Sequence, residues 1–169
     1  MVERASSQPS GSDGLGIYIA LGSNLGDREA TIRAALRDLE ERADIRVVRC
    51  STLHETEPAG GPPGQGPYLN AVAQLDTKLS PHELLARLLE IERRRGRRRD
   101  APNGPRTLDL DLLLFGDRVI DDDDLNVPHP RMWQRPFVMQ PLEEICDAAT
   151  LAARREAFGG PSSARRRER

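Results

Sequence analysis

Residues 104–117 read GPRTLDLDLLLFGD, a leucine-rich run that is interrupted by Asp109 and Asp111. The apolar density of residues 107–115 predicts a buried strand, in which residues i and i+2 point to the same side. The two aspartates therefore share one face, and the even-numbered leucines, from Leu108 to Leu114, pack on the other. Burying a carboxylate is costly unless a partner neutralises it, so the aspartate face needs either a cation or solvent.

Both interpretations of the aspartate face are open from the pattern itself. At ordinary strand rise the two aspartate Cβ atoms lie about 6–7 Å apart, so their side chains can converge on one cation or on a pair of ions. A site with only two carboxylates leaves most coordination positions to water and phosphate, which suits Mg²⁺. The alternative is a solvent-exposed strand face, because an Asp-x-Asp motif is weak by itself.

Length and charge restrict the classes of protein to which this chain can belong. Its 169 residues predict one domain at 15–158, preceded by a disordered leader at 1–14 and followed by a disordered basic tail at 159–169. The net charge of −2 gives no global bias towards nucleic acid or an anionic membrane. No apolar run approaches the length of a membrane span, and the N-terminus lacks the apolar core of a signal peptide. Because its two cysteines are isolated from each other in the sequence, we expect a cytoplasmic protein.

Hydrophobic periodicity predicts the order of the secondary-structure elements. Strand patterns cover residues 15–21, 45–53, 68–75 and 107–115, and helical patterns cover residues 27–43 and 80–96. A short strand at 119–120 and helices at 135–145 and 148–158 follow. This order matches a ferredoxin-like βαββαβ sandwich of the α+β class, with an appended hairpin and C-terminal helices. Because the two helices of that fold cover one face of the sheet, we expect the other face to be free for a ligand.

Arginines are concentrated just before the aspartate strand, at residues 93–95, 97–99 and 106. Arginine side chains beside a carboxylate pair suit a polyphosphate that is bound together with Mg²⁺. The alternative is the solvated basic end of a helix, which the helix dipole also favours. The sequence contains no Gly-x-x-x-x-Gly-Lys-Ser/Thr loop, so phosphates are not held in the P-loop manner. Further along the chain, His129 and Arg135 are additional candidate phosphate contacts.

Four segments, in this order, carry a resemblance to a known family. They are ALGSNLGDR at 20–28, PYLNAVAQL at 67–75, GPRTLDLDLLLFGD at 104–117 and VPHPRM…RPF at 127–137. Across roughly residues 15–145 the chain resembles the 6-hydroxymethyl-7,8-dihydropterin pyrophosphokinase family of folate biosynthesis. The resemblance implies transfer of the β,γ-pyrophosphate of ATP to the pterin hydroxymethyl group, with release of AMP. It implies ATP and the pterin as partners, and we expect a monomer with no nucleic-acid or membrane partner.

The resemblance also assigns roles to individual residues. It implies that Asp109 and Asp111 hold two Mg²⁺ ions on the ATP phosphates, with Arg97 and Arg106 as further catalytic residues. The implied ATP contacts are Glu92, Arg97, Arg99, Arg106, Leu112, His129 and Arg135. The implied pterin contacts are Thr56, Glu57, Ala59, Tyr68, Asn70 and Phe137, of which the two aromatic residues would stack on the flat ring. We expect residues 96–104 to form a loop that closes over the substrates.

Three positions depart from the family pattern, and two other functions compete with it. Asn103 and Pro130 replace aromatic residues that are common in relatives, and Leu89 replaces a polar residue that some relatives have. These changes bear on loop closure and substrate affinity rather than on metal ligation. The competing functions are a ferredoxin-like RNA-binding module and a non-catalytic relative. The aspartate strand lacks the exposed aromatic pattern of the first, and retention of both aspartates disfavours the second.

Overall fold

The computed structural model describes residues 16–58, 60–96 and 107–158, and its elements follow the predicted order. They are β1 (Ile17–Ser23), α1 (Arg28–Glu40), β2 (Ile45–Cys50), β3 (His54–Thr56), β4 (Tyr68–Thr77), α2 (Pro81–Arg94), β5 (Asp109–Phe115), β6 (Ile120–Asp121), β7 (Asn126–Val127), α3 (Pro136–Ile145) and α4 (Ala148–Phe158). One 3₁₀ turn, Met132–Gln134, precedes α3. The predicted α+β class is confirmed, while the predicted leader and tail lie outside the described residues. None of the helices described is long and apolar enough to cross a bilayer.

The main sheet has five strands, and β1 lies at its centre. The order is β2–β4–β1–β5 with every neighbouring pair antiparallel, and β3 pairs with β4 beyond the end of β2. This is the ferredoxin-like arrangement that the element order predicts. The short strand predicted at 119–120 appears as β6, which forms a separate two-stranded hairpin with β7, a strand that was not predicted. The strand predicted over residues 45–53 ends at Cys50 as β2, and the unpredicted strand β3 follows it after an irregular step.

Helices α1 and α2 cover the first face of the sheet. Asp27 caps the start of α1 by accepting a hydrogen bond from the Ala30 N–H. Ser80 and Glu83 form a capping box at the start of α2, with a proline at the first helical position. Between the helices and the sheet, a core of buried aliphatic side chains includes the leucines at positions 108, 110 and 112.

A bulge in β5 changes the alternation of its side chains. Tyr18 of β1 pairs with Leu114 and Ile19 pairs with Leu112, so Leu113 is the extra residue. As a result, Leu113 and Leu114 both pack on the second face of the sheet. The prediction that Leu114 packs on the helix side with the other even-numbered leucines was therefore wrong. The alternation holds up to Leu112, which includes the stretch that carries the aspartates.

The second face of the sheet, predicted to be free, is partly covered by the C-terminal segment. Trp133, Met139 and Leu142 pack there against Tyr18 and Val72 of the central strands. The sequence pattern of α3 correctly predicted a helix but did not reveal where it docks. The part of this face near the two aspartates is left open as a cavity.

Helix α2 is tied to β5 by one buried carboxylate. The Glu92 side chain is 2% exposed, and its Oε1 accepts a hydrogen bond from the Leu110 N–H at 2.8 Å. Leu110 lies between the two aspartates, so this bond fixes the position of that part of β5 relative to α2.

We expect Glu92→Ala to lower the free energy of unfolding by about 1–3 kcal/mol, because the Leu110 N–H then loses a buried acceptor. Glu92→Gln retains a carbonyl oxygen and should lose less. Urea denaturation followed by circular dichroism measures both values. Wild-type stability in both variants would show that the tie does not matter for the fold.

Candidate active site

A cavity of about 310 Å³ opens on the uncovered part of the second sheet face. Its floor comes from β1, β4 and β5, one wall from β3 and the loop after it, and the opposite wall from the segment between β7 and α3. Nine of the predicted site residues line it: Thr56, Glu57, Tyr68, Asn70, Asp109, Asp111, His129, Arg135 and Phe137. The cavity thus brings together residues implied to bind ATP and its metal ions and residues implied to bind the pterin.

The floor is organised by one row of residues that crosses the sheet. Gly22 of β1 pairs with Asn70 of β4 on one side and with Asp109 of β5 on the other, and we call these three residues the floor row. Neighbouring strands lie about 4.8 Å apart, so the two outer backbones of the row are about 10 Å apart. A Cβ atom on Gly22 would come within 3.2 Å of Asn70 Oδ1, so the glycine keeps the centre of the floor open. Ala20, another small residue, pairs with Asp111 in the same way.

Charges of opposite sign line different parts of the cavity. The half-buried Asp109 and Asp111 supply carboxylates from β5, whereas His129, Arg131 and Arg135 supply nitrogen donors from the segment before α3. A ligand that fits this distribution presents positive charge towards the aspartates of β5 and negative charge towards His129, Arg131 and Arg135. A divalent cation bound to phosphate groups meets both requirements.

We call the wall formed by His129, Arg131 and Arg135 the basic wall, and it is held to the sheet through His129. Its backbone N–H donates to the carbonyl of Leu113, the bulged residue of β5, at 2.9 Å. The Arg131 N–H in turn donates to Nδ1 of the His129 ring at 3.2 Å. Because Nδ1 accepts this bond, the proton of the neutral ring lies on Nε2. The ring nitrogen that can donate to an anion is therefore selected by the backbone.

Arg135 and Phe137 connect the basic wall with an aromatic surface. Arg135 is the residue that precedes α3, and Pro136 occupies the first helical position. The Arg135 guanidinium carbon lies 5.5 Å from the centre of the Phe137 ring, within cation–π distance. A residue implied for ATP and a residue implied for the pterin are thus in contact with each other.

The wall formed by β3 orients the Asn70 amide. Asn70 is 7% exposed, and its Nδ2 donates to Thr56 Oγ1 at 2.6 Å. Thr56 belongs to the short strand β3 and pairs with Tyr68 of β4. This hydrogen bond leaves Asn70 Oδ1 directed towards Gly22, where the floor is open.

The loop between β3 and β4 is held at its far end by the start of α1. Arg28 donates to the Pro67 carbonyl at 2.8 Å and to the Glu55 carboxylate at 2.9 Å. The Asn24 amide donates to the Gln65 side chain at 3.2 Å. These bonds give a proline- and glycine-rich segment a defined position beside the cavity.

The remaining predicted residues do not line the cavity or cannot be placed. Leu112 is 4% exposed in the core beneath the helices, and Glu92 is buried against β5. Lying outside the described residues are Ala59, Arg97, Arg99 and Arg106, together with Asn103 and the rest of the segment from 97 to 104 predicted to close. Pro130 and Leu89 are exposed.

Six lining residues were not predicted from the sequence: Ala20, Leu21, Gly22, Gly60, Arg131 and Val138. Ala20, Leu21, Gly22 and Arg131 lie inside two of the four segments that carried the resemblance, and of these Gly22 and Arg131 have a residue type that offered a signal. The others contribute backbone or apolar surface, for which residue type gives no chemical indication.

Comparison with known proteins agrees with the resemblance seen in the sequence. Residues 18–147 match the family model for 7,8-dihydro-6-hydroxymethylpterin-pyrophosphokinase (HPPK). The chain is 47% identical over 129 residues to the 2-amino-4-hydroxy-6-hydroxymethyldihydropteridine pyrophosphokinase of Bacillus subtilis. The aligned region covers 76% of this chain and 77% of that protein. The chain is 46% identical to the protein of the same name from Pseudomonas aeruginosa, with coverage of 76% and 79%. It is also 45% identical to the mitochondrial folate synthesis bifunctional protein of Pisum sativum, over 79% of this chain but only 25% of that protein.

The hydrogen bond to His129 Nδ1 predicts one tautomer. In alkaline solution, where the imidazole ring is neutral, we expect the proton on Nε2, because the Arg131 N–H occupies Nδ1. Long-range ¹H–¹⁵N correlation spectra distinguish the protonated from the unprotonated ring nitrogen. A spectrum with the proton on Nδ1 would rule out this arrangement of the basic wall.

Proposed function

The chain belongs to the 7,8-dihydro-6-hydroxymethylpterin-pyrophosphokinase family, and we propose that the cavity on the second sheet face is the site of its reaction. The chain is an ATP-dependent transferase that moves the pyrophosphoryl group of ATP to 6-hydroxymethyl-7,8-dihydropterin in folate biosynthesis. The observation that supports the location is the meeting of nine predicted residues in one cavity, with an acidic floor edge and a basic wall. The two aspartates on the open face also disfavour the RNA-binding alternative, since they would repel nucleic-acid phosphates.

We assign the pterin to the end of the cavity formed by β3, β4 and the start of α3. Asn70 offers an amide whose orientation is fixed by Thr56, and an amide can pair with the amino and carbonyl edge of a pterin. Tyr68 and Phe137 offer aromatic surfaces for the flat ring. Backbone groups of Glu57 and the predicted contribution of Ala59 complete this proposed subsite.

We assign the ATP phosphates to the β5 end and the basic wall. Asp109 and Asp111 supply the hard carboxylate oxygens that Mg²⁺ prefers, both from one strand face, so the donor set fits the proposed two ions. When bound with ATP, Mg²⁺ offsets the negative charge of the phosphates. His129 and Arg135 contribute donors to the phosphates, and Arg97, Arg99 and Arg106 are proposed to complete the set.

The floor row relates the two subsites to each other. Asn70 holds the pterin on β4, and Asp109 lies across Gly22 on β5, about 10 Å away from backbone to backbone. The pterin hydroxymethyl group extends from its ring along this row, towards the phosphates. The enzyme's contribution is mainly to position the acceptor hydroxyl and the phosphate chain, and to place donors where negative charge develops.

We further propose that the protein acts as a cytoplasmic monomer. Both cysteines are free thiols, as is usual in a reducing compartment. Within the part of the chain that the structure describes, the large apolar side chains that are most exposed are Leu25, Leu89 and Val119, on separate segments. Apolar residues scattered singly do not make an association surface.

A direct assay of AMP formation tests both the activity and its location. We expect AMP from ATP only when the hydroxymethyl pterin is present, and at least about a hundredfold lower rate in Asp111→Asn. The melting temperature of the variant should be unchanged or higher, because one of two neighbouring like charges is removed. Retention of near-normal activity by this variant would refute the proposed metal site, and absence of AMP with the wild type would favour a non-catalytic relative.

The pterin subsite is tested at Phe137. Phe137→Ala should raise the KM for the pterin strongly, because loss of a stacked aromatic costs on the order of 1–3 kcal/mol. A smaller rise in the KM for ATP is expected through Arg135, which loses its ring contact. Phe137→Leu, which keeps apolar bulk without a stacking surface, is the matched control for packing. Equal changes for both substrates would mean that Phe137 serves the core instead.

A further inference from the structure

The last turn of α3 is fastened to the edge of the sheet by Glu144. Its Oε2 accepts a hydrogen bond from the Thr52 N–H at 2.8 Å, and its Oε1 accepts one from the Thr52 hydroxyl at 2.7 Å. The same Oε1 is in contact with Nε2 of His54, the first residue of β3. Neither Thr52, His54 nor Glu144 lines the cavity, and the proposed reaction does not use them directly.

The step between β2 and β3 explains why an acceptor is needed at Thr52. Cys50 pairs with Ala73 and His54 pairs with Asn70, so three residues on the edge intervene opposite two on β4. One extra residue on the edge interrupts the regular ladder of hydrogen bonds. The Thr52 N–H is satisfied by the Glu144 carboxylate instead, which makes a side chain of α3 part of the strand pairing.

The carboxylate is held in its charged form by these bonds. The backbone and hydroxyl hydrogen bonds from Thr52 lower the pKa of Glu144, and His54 adds to the effect. A carboxylate that accepts several hydrogen bonds is a stronger and more directional fastening than a neutral acceptor.

The fastening and the proposed pterin subsite lie along the same interface between α3 and β3. Phe137 and Glu144 are seven residues apart on α3, so they share one face of the helix, about 10 Å apart along its axis. His54 and Thr56 are two residues apart on β3, so they share one side of the strand. The Glu144 contact at one end therefore sets the spacing between Phe137 and Thr56 at the other.

We propose that Glu144 is a positioning residue for the pterin. By fastening α3 to the edge strand, Glu144 fixes the width of the pterin subsite. This inference rests on the proposed function, because it assumes that Phe137 and Thr56 contact the pterin. It adds a specific role for a side chain that does not touch the substrate.

The test compares Glu144→Ala with the neighbouring variant Glu143→Ala. Glu143 is exposed and, within the described residues, its side chain has no hydrogen-bond partner, so its removal controls for loss of charge at the end of α3. We expect Glu144→Ala to raise the KM for the pterin roughly five- to tenfold, equivalent to about one good hydrogen bond. The KM for ATP and kcat should change by less than about twofold, and Glu143→Ala should match the wild type.

A graded series separates positioning from general stability. Glu144→Gln keeps one oxygen for the Thr52 N–H and should recover part of the pterin affinity. Thr52→Val removes only the hydroxyl and should give a similar intermediate rise, which keeps the test valid if Glu144→Ala does not fold. Thermal denaturation is measured in parallel for each variant. A positioning role predicts that the KM for the pterin changes along this series, whereas a role in stability alone predicts that only the melting temperature changes.

The reference variant Phe137→Ala distinguishes the two ways in which the inference can fail. If Phe137→Ala raises the pterin KM while the Glu144 and Thr52 variants do not, the fastening has no positioning role and the proposed subsite stands. If Phe137→Ala leaves the pterin KM unchanged, the subsite itself is misplaced and the inference fails with it. Equal rises for ATP and pterin in Glu144→Ala would mean a structural role only.

Discussion

The antiparallel pairing of β1 with both β4 and β5 is the constraint on which the rest of the site depends. Because Gly22 faces Asn70 on one side and Asp109 on the other, groups that lie far apart in sequence occupy one straight row. Their separation follows from the spacing of hydrogen-bonded strands and not from side-chain packing. The small residues of β1 keep that row open, so the sheet itself provides the floor of the cavity.

The walls, in contrast, are held by side chains that reach between elements. Arg28 anchors the far end of the loop before β4, Glu144 fastens α3 to the edge strand, and the backbone of His129 docks on the bulge of β5. Each contact uses a polar group that satisfies an irregular backbone position, where the regular ladder offers no partner. The floor of the cavity therefore depends on strand pairing, whereas each wall depends on individual polar contacts.

Periodicity and turn residues predicted the order of elements and the shared face of Asp109 and Asp111, because both depend only on local geometry. The bulge at Leu113 could not be predicted, since alternation shows that residues change sides but not where one is added. The docking of α3 on the second face depends on long-range packing, as does the inward orientation of Glu92. The roles of residues in the site came from resemblance, because an Asp-x-Asp pair and a lone histidine are not specific by themselves.

The two aspartates also have a consequence for how the sheet forms. If β5 slipped by one residue along β1, both carboxylates would enter the core beneath α1 and α2, and leucines would take their place on the open face. An apolar strand alone would tolerate such a slip, whereas unpaired carboxylates in a core carry a cost of several kcal/mol each. The charges therefore discriminate against the wrong register while the chain folds, before any nucleotide or metal is present. In this strand, fidelity of folding and the capacity to bind a cation come from the same pair of side chains.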